Sequence, residues 1–115
     1  MDGYILVHKG LVDSCVFDDP IVLKIWIWCL CKASHKERDS LIGNQSVHIL
    51  PGQFIFGRIQ AAGELNITAS TLYRKLKLLE KMSMIKLKTD SKWTVATVVN
   101  WNSYRDTISE VGKIV

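Results

Sequence analysis

The chain has 115 residues, 48% of them hydrophobic and 23% charged, with a formal net charge of +4 at pH 7. This size predicts one compact domain with a single core. The longest apolar stretch, residues 21–31, is interrupted by Lys24 and is shorter than the roughly 20 residues that span a bilayer, which excludes a membrane helix there. The N-terminus lacks the basic start and long apolar stretch of a secretory signal, and three cysteines without framework spacing indicate reduced thiols. We therefore expect a cytoplasmic protein.

The positive charge is concentrated in the second half of the chain. Residues 1–57 carry five Lys and Arg against six Asp and Glu, whereas residues 58–115 carry ten against five. A positive surface attracts polyanions, so nucleic acid or an acidic membrane is the first partner to consider. The alternative is an ordinary solvated basic face.

In chain order, apolar pairs at helical spacing predict a first helix over residues 4–17. Asp19 is a good N-cap and Pro20 suits the first helical position, which predicts a second helix over residues 20–34. That helix is apolar on nearly every side. It is therefore expected to be either the central element of the fold or part of a subunit interface.

Short apolar stretches between residues 38 and 56 alternate with Gly43-Asn44 and Pro51-Gly52, both of which are turn signals. They predict a small N-terminal β-hairpin followed by a turn. Helical periodicity returns at Arg58 and ends at Asn66, and Thr68 is a good N-cap for another helix. Alternating stretches over residues 85–89 and 93–99, joined by the turn 90–92, predict a second hairpin.

The predicted fold class is therefore α+β, a winged helix-turn-helix. Helices pack with the N-terminal hairpin and a C-terminal wing hairpin. The helix-turn-helix is expected at residues 58–82 and the wing at residues 85–99, within a domain of residues 1–105 followed by a C-terminal tail of residues 106–115.

The second helix of this motif has an apolar stripe, and the side opposite Leu72 is basic and hydroxyl-bearing. Arg, Lys, Ser and Thr are the groups that read base edges and hold phosphates in the major groove of DNA. Between residues 67 and 93, seven bases stand against two acids. The alternative is solvated charge on an amphipathic helix and an edge hairpin. The expected base readers are Ser70, Thr71, Tyr73 and Arg74, and the expected phosphate contacts are Lys77, Lys88 and Lys92.

Residue types that carry catalysis or bind metals do not form a pattern. Cys29 and Cys31 are two residues apart on a helix and point about 200° apart, and the three histidines have no ligand spacing. The sequence has no glycine-rich phosphate loop and no nucleophile elbow. We expect no metal, no cofactor and no enzymatic activity.

The order and spacing of several segments resemble the N-terminal domain of DnaD-type replication-initiation proteins and phage replisome organisers. The resemblance covers roughly residues 3–105, through the segments GYILVHKGLVDSCVF, DDPIVLKIWIWCLCKASHKER, LPGQFIFGR, ELNITASTLYRKLKLLEKM and VVNWNSY. It implies a non-enzymatic role in binding DNA and in loading replication proteins. It also implies self-association through this domain, and often a separate C-terminal DNA-binding domain.

Three functions follow from these observations. The first is a double-stranded DNA-binding domain of a replication-initiation or replisome-organiser protein. The second is a transcriptional regulator on the same scaffold. The third is a module for oligomerisation or partner binding without direct DNA contact, with residues 20–34 or the hairpin of residues 41–56 as the interface.

Overall fold

The computed structural model describes residues 3–90 and 92–104. The predicted tail, residue 105 and Ser91 of the predicted wing turn lie outside the described residues. Within them, four α-helices and two small antiparallel sheets form a mixed α+β fold. The helices are α1 (Cys15–Asp18), α2 (Pro20–Lys32), α3 (Arg58–Leu65) and α4 (Ala69–Lys81), and the strands are β1 (Arg38–Ile42), β2 (Gln45–Ile49), β3 (Gln53–Phe56), β4 (Ile85–Thr89) and β5 (Thr94–Val98).

Helix α2 is the central element, which is one of the two roles predicted for it. The Asp19 carboxylate accepts hydrogen bonds from the backbone N–H groups of Ile21 and Val22 at 2.9 and 3.3 Å, and Pro20 opens the helix. α1, α4 and β5 pack around it. Its apolar surface is thus mostly covered within the chain, and the helix ends at Lys32 rather than at residue 34.

The prediction of one helix over residues 4–17 is wrong. This segment is extended up to His8, continues as a 3-10 turn at Lys9–Asp13 and forms only the single-turn helix α1. The Leu6 backbone N–H donates to the carbonyl of Tyr104 at 2.7 Å. This hydrogen bond joins the two ends of the described chain and outweighs the weak helical spacing of the apolar pairs. Gly10 would also destabilise the interior of a helix here.

Strands β1 and β2 form a separate two-stranded sheet, joined by Gly43 and Asn44. Gly43 has φ +59°, as the first central residue of a II′ hairpin turn requires. The predicted hairpin of residues 41–56 is too long, because only residues 38–49 belong to it. After the turn at Pro51 and Gly52 the chain leaves this sheet.

The third apolar stretch becomes β3, which pairs with β5 in the sheet order β3-β5-β4. The strand pair β4–β5 lies where the sequence predicts the wing, with the second strand beginning at Thr94 and ending at Val98. The Asp90 backbone N–H donates to the carbonyl of Trp93 at 2.8 Å and closes the connection.

The core is continuous between α2, α3, α4 and the three-stranded sheet. Ile25, Leu72 and Ile85 are fully buried in it. At one end, Trp101 is 6% exposed and packs against Gly52, whose φ is +86°. The contact joins the end of the sheet to the turn that precedes β3.

Candidate nucleic-acid interface

The segment from α3 to α4 is built by local capping. Asn66 ends α3 in the left-handed region, with φ 58° and ψ 45°, a conformation that Asn tolerates better than most residues. The hydroxyl of Thr68 then accepts from the backbone N–H of Thr71 at 3.2 Å and begins α4. Two residues separated only by Ile67 thus end one helix and start the next.

Helix α2 holds both of these helices. The ammonium of Lys24 donates to the carbonyl of Leu65 at 2.7 Å, at the end of α3, where a positive charge is favourable. The ammonium of Lys75 on α4 lies 2.6 Å from the Asp19 carboxylate, and both side chains are less than one third exposed. This hydrogen bond lowers the pKa of Asp19, assisted by the two backbone N–H groups that Asp19 caps.

One face of α4 is buried and the other is open. Leu72, Leu76 and Leu79 are at most 4% exposed, as the apolar stripe predicts. On the other side, the exposed residues are Ser70, Tyr73, Arg74, Lys77 and Lys81, and Leu78 is 42% exposed at the edge of this face. The open face therefore carries hydroxyl, aromatic and basic groups.

Thr71 differs from the other predicted base readers because it is half-buried. Its hydroxyl oxygen accepts from the Thr68 hydroxyl at 2.8 Å and from the Arg74 guanidinium at 3.4 Å. Lys77 lies 5.6 Å from the centre of the Tyr73 ring, within cation–π range. Thr71 and Tyr73 are thus placed to orient the two cations of the open face.

Glu80 connects the end of α4 to the first wing strand. One of its carboxylate oxygens accepts from the Leu87 backbone N–H at 2.9 Å, and the other lies 3.3 Å from the Lys77 ammonium. The backbone hydrogen bond is the main cause, and Lys77 a smaller one, of the lowered pKa of Glu80. Because β4 is an edge of the sheet, this bond also satisfies a strand N–H that has no strand partner.

The β4–β5 hairpin, predicted as the wing, brings only one of its two predicted phosphate contacts towards α4. A groove of about 320 Å³ lies between α4, the start of α3 and the wing, and Lys92 is in its lining. Lys88 alternates with Leu87 and Thr89 along β4, so it faces the other side of the sheet. Lys92 therefore belongs to the same surface as Tyr73, and Lys88 does not.

Two residues that line the groove were not expected from the sequence. One of the seven bases counted around the motif is paired within the fold and is not free to contact a ligand. Arg58 at the start of α3 and Trp93 at the end of the wing turn line the groove together with Tyr73. Arg58 is the first of the ten bases in the second half of the chain, which was the only sequence signal for it. Lys75 was counted among the seven bases around the motif, but its ion pair with Asp19 directs it into the fold.

A second titratable cluster lies on the β1–β2 sheet, away from this surface. The His48 ring is hydrogen-bonded to Asp39 through Nδ1, at 2.8 Å, and to Glu37 through Nε2. The Asp39 hydrogen bond is the main cause of the raised pKa of His48, and Glu37 adds to it. Within the described ranges, no group of three His, Cys, Asp or Glu side chains is placed to hold a metal ion.

Across residues 3–90 and 92–104, every helix falls short of the length and apolar character that crossing a membrane requires. Comparison of the chain with protein-family models, curated proteins and solved structures finds no match.

Proposed function

We propose that this chain is a winged helix-turn-helix domain that binds double-stranded DNA without catalysing a reaction, with α4 as the recognition helix and β4–β5 as the wing. From α2 to β5 the order is one helix, three strands, two helices and two strands, and the third strand, β3, joins β4 and β5 in one sheet, which supports the fold. The observation that carries the function is the open face of α4. It presents Ser70, Tyr73, Arg74 and Lys77 to solvent on a helix whose opposite face is buried and whose middle is held to α2 by the Lys75–Asp19 ion pair.

The arrangement supplies the two kinds of contact that a duplex requires. Exposed Arg and Ser side chains on a helix form hydrogen bonds with base edges in the major groove. Lys77 on the helix and Lys92 on the hairpin are both exposed and supply charge for phosphates. Phosphate contacts release counterions, so the affinity is expected to fall steeply as the salt concentration rises.

The test is the affinity of the full chain for a mixed-sequence duplex, measured by fluorescence anisotropy across a salt series. Arg74→Ala with Lys77→Ala is expected to weaken binding about tenfold or more and, because Lys77 is the phosphate contact of the two, to reduce the salt slope by about one. The matched control is Lys9→Ala with Lys36→Ala, which removes two exposed cations from the first half of the chain. Undetectable binding at low salt, or equal effects of the two double variants, would contradict the proposal.

The biological role that we propose is replication initiation, as part of a replisome-organiser type of protein. It rests on the resemblance of residues 3–105 to DnaD-type proteins. The same surface chemistry serves a transcriptional regulator, which is the alternative. Mapping the DNA that the protein occupies in its own cells separates the two, because the first role predicts an origin of replication and the second predicts promoters.

Self-association is a second candidate function, favoured by the N-terminal segment. Eleven large apolar side chains are exposed in the described residues, and six of them lie between residues 4 and 21. They are Tyr4, Leu6, Val7, Val12, Phe17 and Ile21. A contiguous apolar patch is typical of an interaction surface, and we propose that these side chains contribute to one.

Light scattering after size exclusion, over a range of protein concentrations, tests this candidate. Val12→Asp is expected to shift the protein towards the monomer, whereas Leu78→Asp, on α4, is not. A strict monomer at high concentration would contradict self-association and would leave DNA binding unaffected.

A further inference from the structure

The groove between α4, the start of α3 and the wing is lined by aromatic side chains as well as cations, and binding to an intact duplex does not require the aromatic ones. Its lining includes two aromatic residues, Tyr73 and Trp93, and two cations, Arg58 and Lys92, with a single acid, Asp90. The hydroxyls of Thr89 and Thr94 lie on the same wall and within 3.3 Å of each other. The Tyr73 side chain is 52% exposed, and the Lys77 ammonium lies 5.6 Å from the centre of its ring.

Aromatic rings and cations on one groove match the chemistry of a nucleotide with a free base. The bases of an intact duplex are stacked on each other and offer only their edges, so an aromatic side chain has no base face to contact. An unpaired base offers both faces, and stacking on aromatic residues beside a basic track is how proteins bind single strands. Arg58 and Lys92 are placed to neutralise the phosphates on the same strand.

Trp93 extends this path beyond the first groove. It also lines a second, wider groove between the wing tip and the β1–β2 turn, where Gly43, Asn44 and Gln45 form the opposite wall. Lys92 lies in the lining of both grooves. A strand that passes Tyr73 and then Trp93 therefore continues between the two hairpins.

We propose that the protein binds duplex DNA next to an unpaired strand, with unpaired bases stacking on Tyr73 and Trp93 while α4 contacts the adjoining duplex. The inference rests on the proposed DNA-binding function and specifies its ligand. It assigns Arg58, which the sequence did not indicate, to the unpaired strand. It also gives the β1–β2 turn a place beside the DNA.

The test compares three labelled probes by anisotropy: a blunt duplex, the same duplex with an oligothymidine extension on one strand, and the oligothymidine alone. We expect the extension to raise the affinity about fivefold or more, the factor that corresponds to the lower end of one base–aromatic stack. Tyr73→Ala is expected to remove this gain, and Tyr73→Phe, which keeps the ring, to retain it. Tyr4→Ala, at an exposed tyrosine outside the groove, is the matched control.

Trp93 is half-buried, so it is tested with two variants and a folding control. Trp93→Ala is expected to lower the gain and Trp93→Phe to preserve most of it, with the thermal unfolding midpoint recorded for both. Equal wild-type affinity for the blunt and extended duplexes would overturn this inference and leave the duplex-binding proposal standing. A gain that is unchanged in both Tyr73→Ala and Trp93→Ala, with Trp93→Ala shown to be folded, would also overturn it. Absence of salt-dependent binding to every probe would overturn both proposals.

Discussion

The contact between Gly52 and Trp101 makes the most quantitative prediction of this fold. Gly52 has φ +86°, and a Cβ added to it would lie 2.8 Å from both Cβ and Cγ of Trp101. Its backbone has no freedom to move, because its N–H donates to the Ser34 carbonyl and its carbonyl accepts from Val98, both at 2.8 Å. Gly52→Ala therefore forces together two groups that are each held in place.

The cost has two parts. A side chain in the left-handed region costs roughly 1–2 kcal/mol, and overpacking a tight core contact costs about 1–3 kcal/mol. The free energy of unfolding is expected to fall by about 2–5 kcal/mol, out of the roughly 5–15 kcal/mol typical of a domain. At about 4 °C per kcal/mol, the unfolding midpoint falls by about 8–20 °C.

The measurement is urea and thermal unfolding followed by circular dichroism. Gly43→Ala is the matched control, because Gly43 also has a positive φ, +59°, but a Cβ there has nothing within 4 Å. It is expected to lose only the backbone part. If Gly52→Ala and Gly43→Ala destabilise the wild-type protein equally, the steric part of this reasoning is wrong.

Three further predictions concern charged groups. Asp19→Asn weakens the contact with Lys75. Because the pKa of Asp19 is lowered, the contact stabilises the fold fully above the ordinary value of 3.8, and this contribution is lost as the pH falls through the lowered pKa. The urea midpoints of wild type and variant should converge in acid, and a constant difference would refute the ion pair. The hydrogen bonds of the protonated His48 ring to Asp39 and Glu37 raise its pKa. They therefore stabilise the hairpin fully below pH 6.5, and this contribution is lost as the pH rises through the raised pKa. Its NMR titration midpoint should lie above 6.5 and drop in Asp39→Asn, and no drop would show that the carboxylate does not bind the ring. Glu80→Ala leaves a strand N–H without its acceptor, so we expect a loss of about 1 kcal/mol in urea unfolding and faster hydrogen exchange at that amide, and unchanged exchange would contradict the link.

The elements that the sequence predicts well are those defined by neighbouring residues. Asp19 and Pro20 mark the start of α2, Asn66 and Thr68 mark the boundary between α3 and α4, and Gly43 marks the first hairpin. Each signal acts over three or four residues through a cap or a required φ. For that reason it is visible without knowledge of the rest of the fold.

The features that the sequence does not predict depend on distant parts of the chain. Helical spacing suggested a helix at residues 4–17, but the contact of Leu6 with Tyr104 is invisible to a local pattern. The separation of β3 from the first hairpin depends on pairing with β5, some 40 residues later. Likewise, the sequence identified the basic face of α4, but not that Lys75 is paired with Asp19 or that Trp93 lies in one groove with Arg58.

The way α2 holds its neighbours also has a consequence for the order of folding. Its polar contacts to the end of α3 and to α4 join residues 41 and 56 positions apart. During synthesis α2 is therefore made well before the helices that cover its apolar surface. Non-local contacts slow folding, so the nascent chain exposes Trp26 and its neighbours for the time needed to make about half of the protein. Over that interval the most hydrophobic segment of the chain is available to chaperones.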